Sequence, residues 1–287
     1  MVTIFQAIVL GIVQGLAEFL PISSSGHLTL ARAIMGMQNV DTLMLDVLLH
    51  VGTLIAVLVV FWRDWIDMLA HPIKNKTLLM LIIATLPTVI VVLLFNDTID
   101  SFFSGWFLGP AFLITALFMV LAEVLSRRAP KTRRAGGEVG YKSAISMGIM
   151  QVVAILPGVS RSGSTLLGGL ATGLKRKTAA QFCFMMSAPA ILGSVVFEGK
   201  DAYESGLFAT MDIVPVICGM LAAAVVGYLA IRFMLALIQK ISLYWFALYV
   251  AIVGIAVLAV QLTTTGIFPP FAFPTMQAAQ GMLMTLR

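Results

Sequence analysis

Residues 11–27 read GIVQGLAEFLPISSSGH and place polar and ionisable groups inside an otherwise apolar stretch. Gln14 and Glu18 are four residues apart, so on a helix they share one face. Pro21 disfavours helical geometry at Leu20 and predicts a break there. The break is followed by small polar residues and an imidazole: Ser23, Ser24, Ser25, Gly26 and His27. Because ionisable groups inside a membrane usually face a cavity or one another, this stretch is interpreted as half of an active site.

The composition indicates an integral membrane protein. Of the 287 residues, 60% are hydrophobic and 11% are charged, and the mean hydropathy is +1.02. A soluble domain has about 25% charged residues. The net charge is +5, but the lysines and arginines stand at the ends of apolar runs, as membrane topology requires. The positive charge therefore gives no reason to expect nucleic acid as a partner.

The apolar segments predict an all-α membrane fold, since a spanning helix needs about 20 apolar residues. Six segments meet this requirement: residues 43–62, 77–95, 106–124, 180–197, 213–234 and 243–262. Two others are interrupted, residues 2–35 at Pro21 and residues 143–174 at Pro157 and Gly158. Each is predicted to be a re-entrant hairpin of two helices around a break. Non-helical backbone at membrane depth is tolerated only inside protein or beside a wet cavity.

An internal repeat relates the two interrupted stretches. At a constant offset, residues 11–26 match residues 148–163 at seven of sixteen positions. One hairpin is predicted to enter from outside and the other from the cytoplasm, so the repeat has inverted topology and its broken regions meet near the membrane midplane. The first copy has Glu18 where the second has Ile155, and the second copy alone has Arg161. One half therefore supplies the carboxylate and the other the cation.

The charge distribution predicts orientation and internal boundaries. Basic clusters mark the cytoplasmic side; they lie within residues 63–76, 127–142, 175–177 and 232–240. The acid-rich regions near residues 97–100 and 198–212 are predicted to lie outside. A single membrane domain, residues 1–287, then has four parts: a first repeat (1–124), a basic cytoplasmic loop (125–142), a second repeat (143–262) and a C-terminal tail (263–287).

An arginine among serines at a helix break is typical of an anion site. The planar guanidinium of Arg161 fits phosphate oxygens, and backbone N–H groups at the start of the following helix add a favourable dipole. A carboxylate and an imidazole beside a hydroxyl can move protons or activate a nucleophile. In lipid surroundings these groups predict phosphoryl transfer on a lipid phosphate, with Arg161 stabilising charge on the equatorial oxygens.

The motifs resemble those of the undecaprenyl-pyrophosphate phosphatase family, which is linked to bacitracin resistance. Its first motif, (E/Q)xxxE, stands at residues 14–18 and continues as PISSSGH, and its second, PGxSRSG(S/A)T, stands at residues 157–165. Further similarity runs through residues 48–63 and 175–191 and reaches about residue 262. The resemblance implies a multi-pass protein of the bacterial plasma membrane, with its site open to the outer face. It also implies removal of the terminal phosphate from the C55 isoprenyl pyrophosphate, which supplies the carrier for cell-wall synthesis.

The resemblance also assigns roles to residues. It implies a catalytic set: Glu18, Ser24, His27 and Arg161. We expect Ser24 to attack the terminal phosphorus, with His27 or water as open alternatives, while Glu18 and His27 transfer protons and Arg161 grips the pyrophosphate. The substrate-binding candidates are Gln14, Ser23, Ser25, Ser160, Ser162 and Thr165. A divalent cation, Mg or Ca, is implied, with Glu18 as its candidate ligand. The implied partners are a polyprenyl pyrophosphate and membrane lipid, and a homodimer is left open.

Other interpretations of the sequence stay open. An inverted repeat of broken helices also suits a transporter or flippase of an anion or a lipid carrier, although the asymmetry between Glu18 and Arg161 favours an enzyme. These two residues can also form a purely structural ion pair. His50 stands near Asp46 in a span, which favours a structural pair or a cavity lining. The mechanism of the type-2 phosphatidate phosphatases is excluded, because their nucleophilic histidine follows an SR motif and every histidine here precedes Arg161.

Overall fold

The computed structural model describes residues 2–38, 40, 42–102, 105–128, 138–204, 212–263 and 268. Within these ranges the chain forms eleven helices and no strand, which confirms the all-α fold. The helices are α1 (Ile4–Phe19), α2 (Ser24–Ile34), α3 (Leu43–Val60), α4 (Trp62–Ala70), α5 (Lys76–Phe102), α6 (Leu108–Arg128), α7 (Tyr141–Val153), α8 (Arg161–Ala171), α9 (Arg176–Glu204), α10 (Ile213–Leu237) and α11 (Tyr244–Leu262). Half of the predicted basic loop, residues 129–137, and nearly all of the predicted tail lie outside the described residues.

Six helices are long and apolar enough to cross a membrane, which confirms the six predicted spans. They cover Leu43–Val60, Lys76–Phe95, Leu108–Arg128, Arg176–Phe197, Ile213–Leu237 and Tyr244–Leu262. The first span ends slightly earlier than predicted, because a separate helix, α4, begins at Trp62. Exposed Trp62, Ile66 and Leu69 repeat along α4 at helical spacing, which is the sequence signal for this additional helix.

Both interrupted stretches form two helices around a break, at the predicted places. The first break separates Phe19 of α1 from Ser24 of α2, and the second separates Val153 of α7 from Arg161 of α8. Pro21 lies inside the first break, as its restriction on the preceding residue predicts. That each hairpin enters and leaves the membrane on one side stays a prediction.

Two equivalent serines start the second helix of each hairpin. The Ser23 Oγ accepts a hydrogen bond from the Gly26 N–H at 3.3 Å, and the Ser160 Oγ accepts one from the Gly163 N–H at 3.1 Å. A hydroxyl at this position satisfies a backbone donor that the helix itself cannot pair. The matching serines of the repeat therefore have a shared structural role as helix caps.

Each half of the chain packs its first helix against the other half. Helix α1 runs along α10 and α7 runs along α5, while α3 contacts α9 and α6 contacts α11. Two aligned glycines allow these close approaches. A Cβ at Gly148 would lie 2.5 Å from the Ala84 carbonyl oxygen, and a Cβ at Gly11 would overlap the Gly219 carbonyl oxygen. Small residues permit such helix contacts in membranes. Reciprocal packing of this kind is expected of two related halves. The inverted repeat itself stays a prediction.

A buried carboxylate fixes one end of the helix bundle. Glu123 of α6 is 1% exposed and accepts hydrogen bonds from the Arg176 Nη2 at 2.7 Å, the Arg127 Nε at 2.6 Å and the Leu243 N–H at 2.8 Å. Arg176 begins α9, and Leu243 precedes α11. Because a buried charge is tolerated when it is paired and hydrogen-bonded, Glu123 holds these three elements together.

The Glu123→Ala variant should lose about 3 kcal/mol of unfolding free energy, because it leaves Arg176 in a largely buried place without its carboxylate. Denaturant unfolding in detergent micelles measures this loss. Glu138→Ala is the matched control, since Glu138 meets Lys76 at 4.0 Å with both side chains exposed, and we expect a change within about 0.5 kcal/mol. Equal losses in the two variants would contradict the anchoring role of Glu123.

Candidate active site

The two breaks meet, and two hydroxyl groups join them. The Ser25 Oγ accepts a hydrogen bond from the Gly158 N–H at 3.1 Å, and the Ser162 Oγ donates one to the Leu20 carbonyl at 2.9 Å. Ser25 and Ser162 are equivalent in the repeat, so each hairpin contributes the same hydroxyl to the backbone of the other. The first turn of α2 is thereby held against the second break, and the first turn of α8 against the first break.

Glu18 lies at the centre of this junction and is 6% exposed. Its Oε1 accepts a hydrogen bond from the Arg161 Nη2 at 2.7 Å. Its Oε2 accepts hydrogen bonds from the Ser24 Oγ at 2.5 Å and from the Gln14 Nε2 at 3.2 Å. The structure thus brings together three of the four predicted catalytic residues, from both hairpins, around one carboxylate.

The contact between Ser24 and Glu18 has the geometry of a nucleophile and its base. A hydroxyl that donates to a carboxylate makes a short, charge-assisted hydrogen bond. The same carboxylate is positioned to take the proton when the hydroxyl oxygen attacks. This pair can therefore support nucleophilic chemistry without rearrangement of the backbone.

Arg161 offers a further donor at the junction. Its Nη1 is buried and has no hydrogen-bond partner, whereas its Nη2 binds Glu18. A buried guanidinium N–H without a partner costs free energy, and a phosphate oxygen would remove that cost. The flat fork of nitrogens can hold the Glu18 carboxylate and an anion at the same time. The site is thus suited to a phosphate-bearing ligand.

The backbone is strained immediately before Ser24. Ser23 has a φ of 76°, and within the described ranges it is the one non-glycine residue with a positive φ. Such a conformation costs about 1–3 kcal/mol and tends to occur at functional sites. Its equivalent in the second hairpin, Ser160, has an ordinary φ of −71°. The strain therefore belongs to the half that supplies Glu18 and Ser24, and it sets the direction in which Ser24 approaches the carboxylate.

His27 lies one turn into α2, and its ring contacts side chains of α6 and α11. Its Nδ1 donates to the Ser23 carbonyl at 2.7 Å, so in the neutral ring Nε2 accepts from the Tyr249 hydroxyl at 2.8 Å. The ring also stacks on Tyr249 with centroids 5.6 Å apart and packs edge-on against Phe112. The catalytic role of His27 stays a prediction. Tyr249 was not predicted, because one tyrosine in an apolar span gives no local signal.

The other predicted ligand hydroxyls help to build the second break. Thr165 is fully buried, donates to the Arg161 carbonyl at 2.9 Å and lies 2.9 Å from the Cys183 Sγ. Thr115, which was not predicted, accepts from the Ser160 N–H at 2.9 Å. These contacts hold the start of α8 in place. Direct substrate contacts by Ser23, Ser25, Ser160, Ser162 and Thr165 stay predictions.

Gln14 allows a test of whether the site suits a divalent cation. Gln14 is fully buried, and its Oε1 has no hydrogen-bond partner although its Nε2 binds Glu18. Amide and carboxylate oxygens are ligands that Mg and Ca prefer, and Mg often takes one carboxylate with water and substrate phosphates. In the described part of the chain, no three His, Cys, Asp or Glu side chains are grouped as a metal site. The donors therefore fit a partly hydrated cation completed by phosphate.

The fold and the site define a multi-pass membrane protein in which a buried carboxylate, a partly buried serine and a partly buried arginine come from two broken hairpins. The chain belongs to the family described as Bacitracin resistance protein BacA, whose sequence model matches residues 7–256. This confirms the family resemblance of the motifs.

Named relatives cover nearly the whole chain. The chain is 42% identical over 259 residues to the undecaprenyl-diphosphatase of Carboxydothermus hydrogenoformans, an alignment that covers 90% of this chain and 97% of the relative. It is 41% identical over 257 residues to the undecaprenyl-diphosphatase of Halothermothrix orenii, and the alignment covers 89% of this chain and 97% of the relative. It is 41% identical over 279 residues to the undecaprenyl-diphosphatase of Methanobrevibacter smithii, and the alignment covers 91% of this chain and 98% of the relative.

A double-mutant cycle should detect strong coupling between Glu18 and Arg161. We expect a coupling energy of about 2–3 kcal/mol from Glu18→Gln, Arg161→Met and the double variant, because each single change leaves an uncompensated polar or charged group. Unfolding free energies in detergent provide the measurement.

The matched cycle uses Lys200 and Glu204, an exposed pair whose charged atoms are 3.7 Å apart. Its coupling should stay within about 0.5 kcal/mol. A coupling between Glu18 and Arg161 no larger than this would show that the two side chains do not interact in the folded protein.

Proposed function

We propose that the chain hydrolyses undecaprenyl pyrophosphate to undecaprenyl phosphate and inorganic phosphate. This reaction recycles the lipid carrier for cell-wall synthesis and accounts for the bacitracin resistance in the name of the family. The observation that carries it is the contact of the buried Glu18 carboxylate with both Ser24 and Arg161, in a chain closely related to proteins named undecaprenyl-diphosphatase.

In the first step, the Ser24 Oγ forms a bond to the terminal phosphorus while Glu18 takes the hydroxyl proton. The bond from that phosphorus to the bridging oxygen breaks, and undecaprenyl phosphate leaves with the electron pair. Arg161 binds the equatorial oxygens, on which charge is spread in the transition state. The N–H groups at the start of α8 contribute their dipole to the same oxygens.

In the second step, water attacks the phosphoserine, and Glu18 takes a proton from the water. The bond from phosphorus to the Ser24 Oγ breaks, and Glu18 returns this proton to Ser24 as inorganic phosphate leaves. Glu18 must therefore lose its first proton before it can act on the water. The proton lost between the two steps is the one that hydrolysis releases in each turnover.

A divalent cation would be held by the Glu18 carboxylate and the Gln14 Oε1. When bound, Mg or Ca supplies positive charge that neutralises the pyrophosphate oxygens. The role of the chain's own residues is to orient that cation and the terminal phosphate beside Ser24. These two groups supply fewer oxygen ligands than Mg or Ca takes, so substrate oxygens and water would complete the coordination.

The protein is a multi-pass membrane protein, and we place it in the bacterial plasma membrane with the site open to the outer face. The positions of the basic clusters support this orientation. All residues of the proposed site come from one chain, so the mechanism does not require the homodimer that the sequence leaves open. A pure transporter is not favoured, because it needs no serine held by a carboxylate.

Phosphate release by purified protein in detergent should depend on the three central side chains. We expect a loss of about 10³-fold or more for Ser24→Ala, because this change removes the nucleophile. We expect losses of about 10²-fold or more for Glu18→Gln, which removes the base, and for Arg161→Lys, which removes the guanidinium that binds the phosphate oxygens. The substrate is undecaprenyl pyrophosphate, and each variant is first checked for a thermal transition.

Matched controls change the same residue types elsewhere: Ser194→Ala, Glu204→Gln and Arg63→Lys. These should keep the parent rate. If the parent protein releases no phosphate, the proposed function is wrong. If Ser24→Ala keeps the parent rate, Ser24 is not the nucleophile.

Removal of divalent cations should reduce phosphate release to near background, and Mg or Ca should restore it. Gln14→Leu should then need about tenfold more cation for half-maximal activity, because it removes one proposed oxygen ligand. Titration of activity with each metal measures this requirement. Full activity after exhaustive chelation would exclude the cation, and an unchanged requirement in Gln14→Leu would exclude Gln14 as its ligand.

A further inference from the structure

The carbonyl oxygen of the capping serine accepts two hydrogen bonds in each hairpin. In the first hairpin, the Ser23 carbonyl accepts from the His27 N–H at 3.2 Å and from the His27 Nδ1 at 2.7 Å. In the second, the Ser160 carbonyl accepts from the Ser164 N–H at 2.9 Å and from the Ser164 Oγ at 2.8 Å. His27 and Ser164 are equivalent at the offset of the repeat. Both hairpins therefore use the side chain at this position as a second donor to one carbonyl.

The second donor sets the direction of the side chain that follows the capping serine. A peptide unit is planar, so the carbonyl of the capping serine and the backbone nitrogen of the next residue turn together. That next residue is Ser24 in the first hairpin and Arg161 in the second, and both donate to the Glu18 carboxylate. Ser164 is fully buried and performs this task with a hydroxyl. The position therefore has a structural task that needs no imidazole chemistry.

The first hairpin depends on this bond more than the second does. Ser23 has a φ of 76°, whereas Ser160 has a φ of −71°. A residue in such a sparsely populated conformation persists only where its surroundings hold it there. The bond from the His27 Nδ1 to the Ser23 carbonyl is one such constraint, and it acts on the peptide unit that leads directly into Ser24.

His27 is itself held from two further helices. The Tyr249 hydroxyl of α11 lies 2.8 Å from the His27 Nε2, and its ring stacks on the imidazole with an interplanar angle of 18°. Phe112 of α6 packs edge-on against the imidazole, with centroids 5.3 Å apart. A Cβ at Gly26 would lie 2.5 Å from the Phe112 Cζ, so the close fit of this phenyl ring against α2 requires the glycine. Both ring nitrogens of His27 are engaged by protein groups, which favours a positioning role over proton transfer.

We propose that His27 is a positioning residue that holds the Ser23 carbonyl and thereby directs Ser24 towards its base. Tyr249 acts one step further out, because it holds the imidazole of His27. This inference rests on the proposed function, in which Ser24 is the nucleophile. The imidazole takes up no proton in this role, and Glu18 alone receives the Ser24 proton.

Two amide variants of His27 separate positioning from proton transfer, because neither amide takes up a proton. The shorter asparagine can donate from the place of Nδ1 to the Ser23 carbonyl, whereas the longer glutamine carries its amide near the place of Nε2. We expect kcat for phosphate release to fall about 10²-fold or more in His27→Gln but less than about tenfold in His27→Asn, since a misplaced nucleophile costs about 10² in rate. KM should stay within about twofold in both, because Arg161 still binds the phosphate.

The matched controls change His71, which is 61% exposed, to the same two amides and should keep the parent kcat and KM. The pH dependence of kcat provides a second criterion. If His27 transferred a proton, His27→Asn would lose one limb of the profile. In the positioning role, His27→Asn keeps both limbs where the parent protein has them.

Tyr249→Phe keeps the stacked ring and removes the hydroxyl. We expect kcat to fall about fivefold and KM to stay within about twofold. In the His27→Asn background, the same change should alter kcat by less than about twofold, because the shorter side chain does not reach the phenol and the two effects are coupled. Tyr244→Phe, on the same helix, is the matched control and should keep the parent kcat. If the losses from His27→Asn and Tyr249→Phe multiply, Tyr249 does not act through His27.

Reaction of Ser24 with a small fluorophosphonate measures the alignment of the nucleophile without a lipid substrate. The Ser24 Oγ forms a bond to phosphorus, fluoride leaves with the electron pair, and the modified peptide is measured by mass spectrometry. The labelling rate should fall in His27→Gln by about the same factor as kcat, and it should stay within about tenfold of the parent rate in His27→Asn. The thermal transition of each variant is measured alongside, so that a general loss of structure is recognised.

Three results would overturn the positioning role: equal losses of kcat in His27→Asn and His27→Gln, a parent kcat in His27→Gln, or a rise in KM alone. If His27→Asn lacks a thermal transition, His27→Ser replaces it, since Ser164 makes the equivalent bond with a hydroxyl. His27→Ala likewise replaces His27→Gln.

Failure of the proposed function is distinguishable from failure of this inference. If the parent protein releases no phosphate, the proposed function is wrong, and the labelling rates of Ser24 still test the positioning role. If Ser24 of the parent protein is not labelled, or is labelled equally fast in His27→Gln, the positioning role is wrong.

Discussion

The structure depends on one ion pair between two interrupted hairpins. Glu18 and Arg161 are 143 residues apart in the chain, and both belong to stretches that are otherwise apolar. Removing one charge in such surroundings leaves the other without compensation, at a cost of about 3–5 kcal/mol. The two breaks can therefore satisfy their charged groups only when the hairpins meet. The hydrogen bonds that the Ser25 and Ser162 hydroxyls make across the junction add specificity to the contact between the hairpins.

The same ion pair makes the site a receptor for an anion. Arg161 is fixed by Glu18 through one nitrogen, while its other terminal nitrogen has no hydrogen-bond partner. An arriving phosphate can use the second nitrogen without first displacing the carboxylate. Glu18 meanwhile keeps its contact with Ser24. Substrate binding and preparation of the nucleophile are thus compatible, because they use different atoms of one cluster.

The spans, the breaks and the capping serines could be predicted because each depends on local sequence. Apolar length predicts a span, Pro21 predicts a break, and a serine before a helix predicts a cap. The pairing of Glu18 with Arg161 needed the repeat, which aligns two distant stretches. Tyr249 and Thr115 could not be assigned in this way. Their contacts arise where separate helices pack together, and the spacing of residues along the chain does not predict which helices pack against each other.

The two hairpins show how one local design can support different chemistry. Ser23 and Ser160 cap equivalent helices, yet of the two only Ser23 has a strained backbone. Ser23 precedes the hydroxyl of Ser24 and Ser160 precedes the guanidinium of Arg161, and both of these groups donate to the Glu18 carboxylate. The second hairpin supplies a cation and an unstrained frame. A symmetric pair could bind an anion, but it would place like groups opposite each other. Because the copies differ at positions 18 and 161, the junction holds a base, a hydroxyl and a guanidinium at once, and each of these groups has its own part in the proposed phosphoryl transfer.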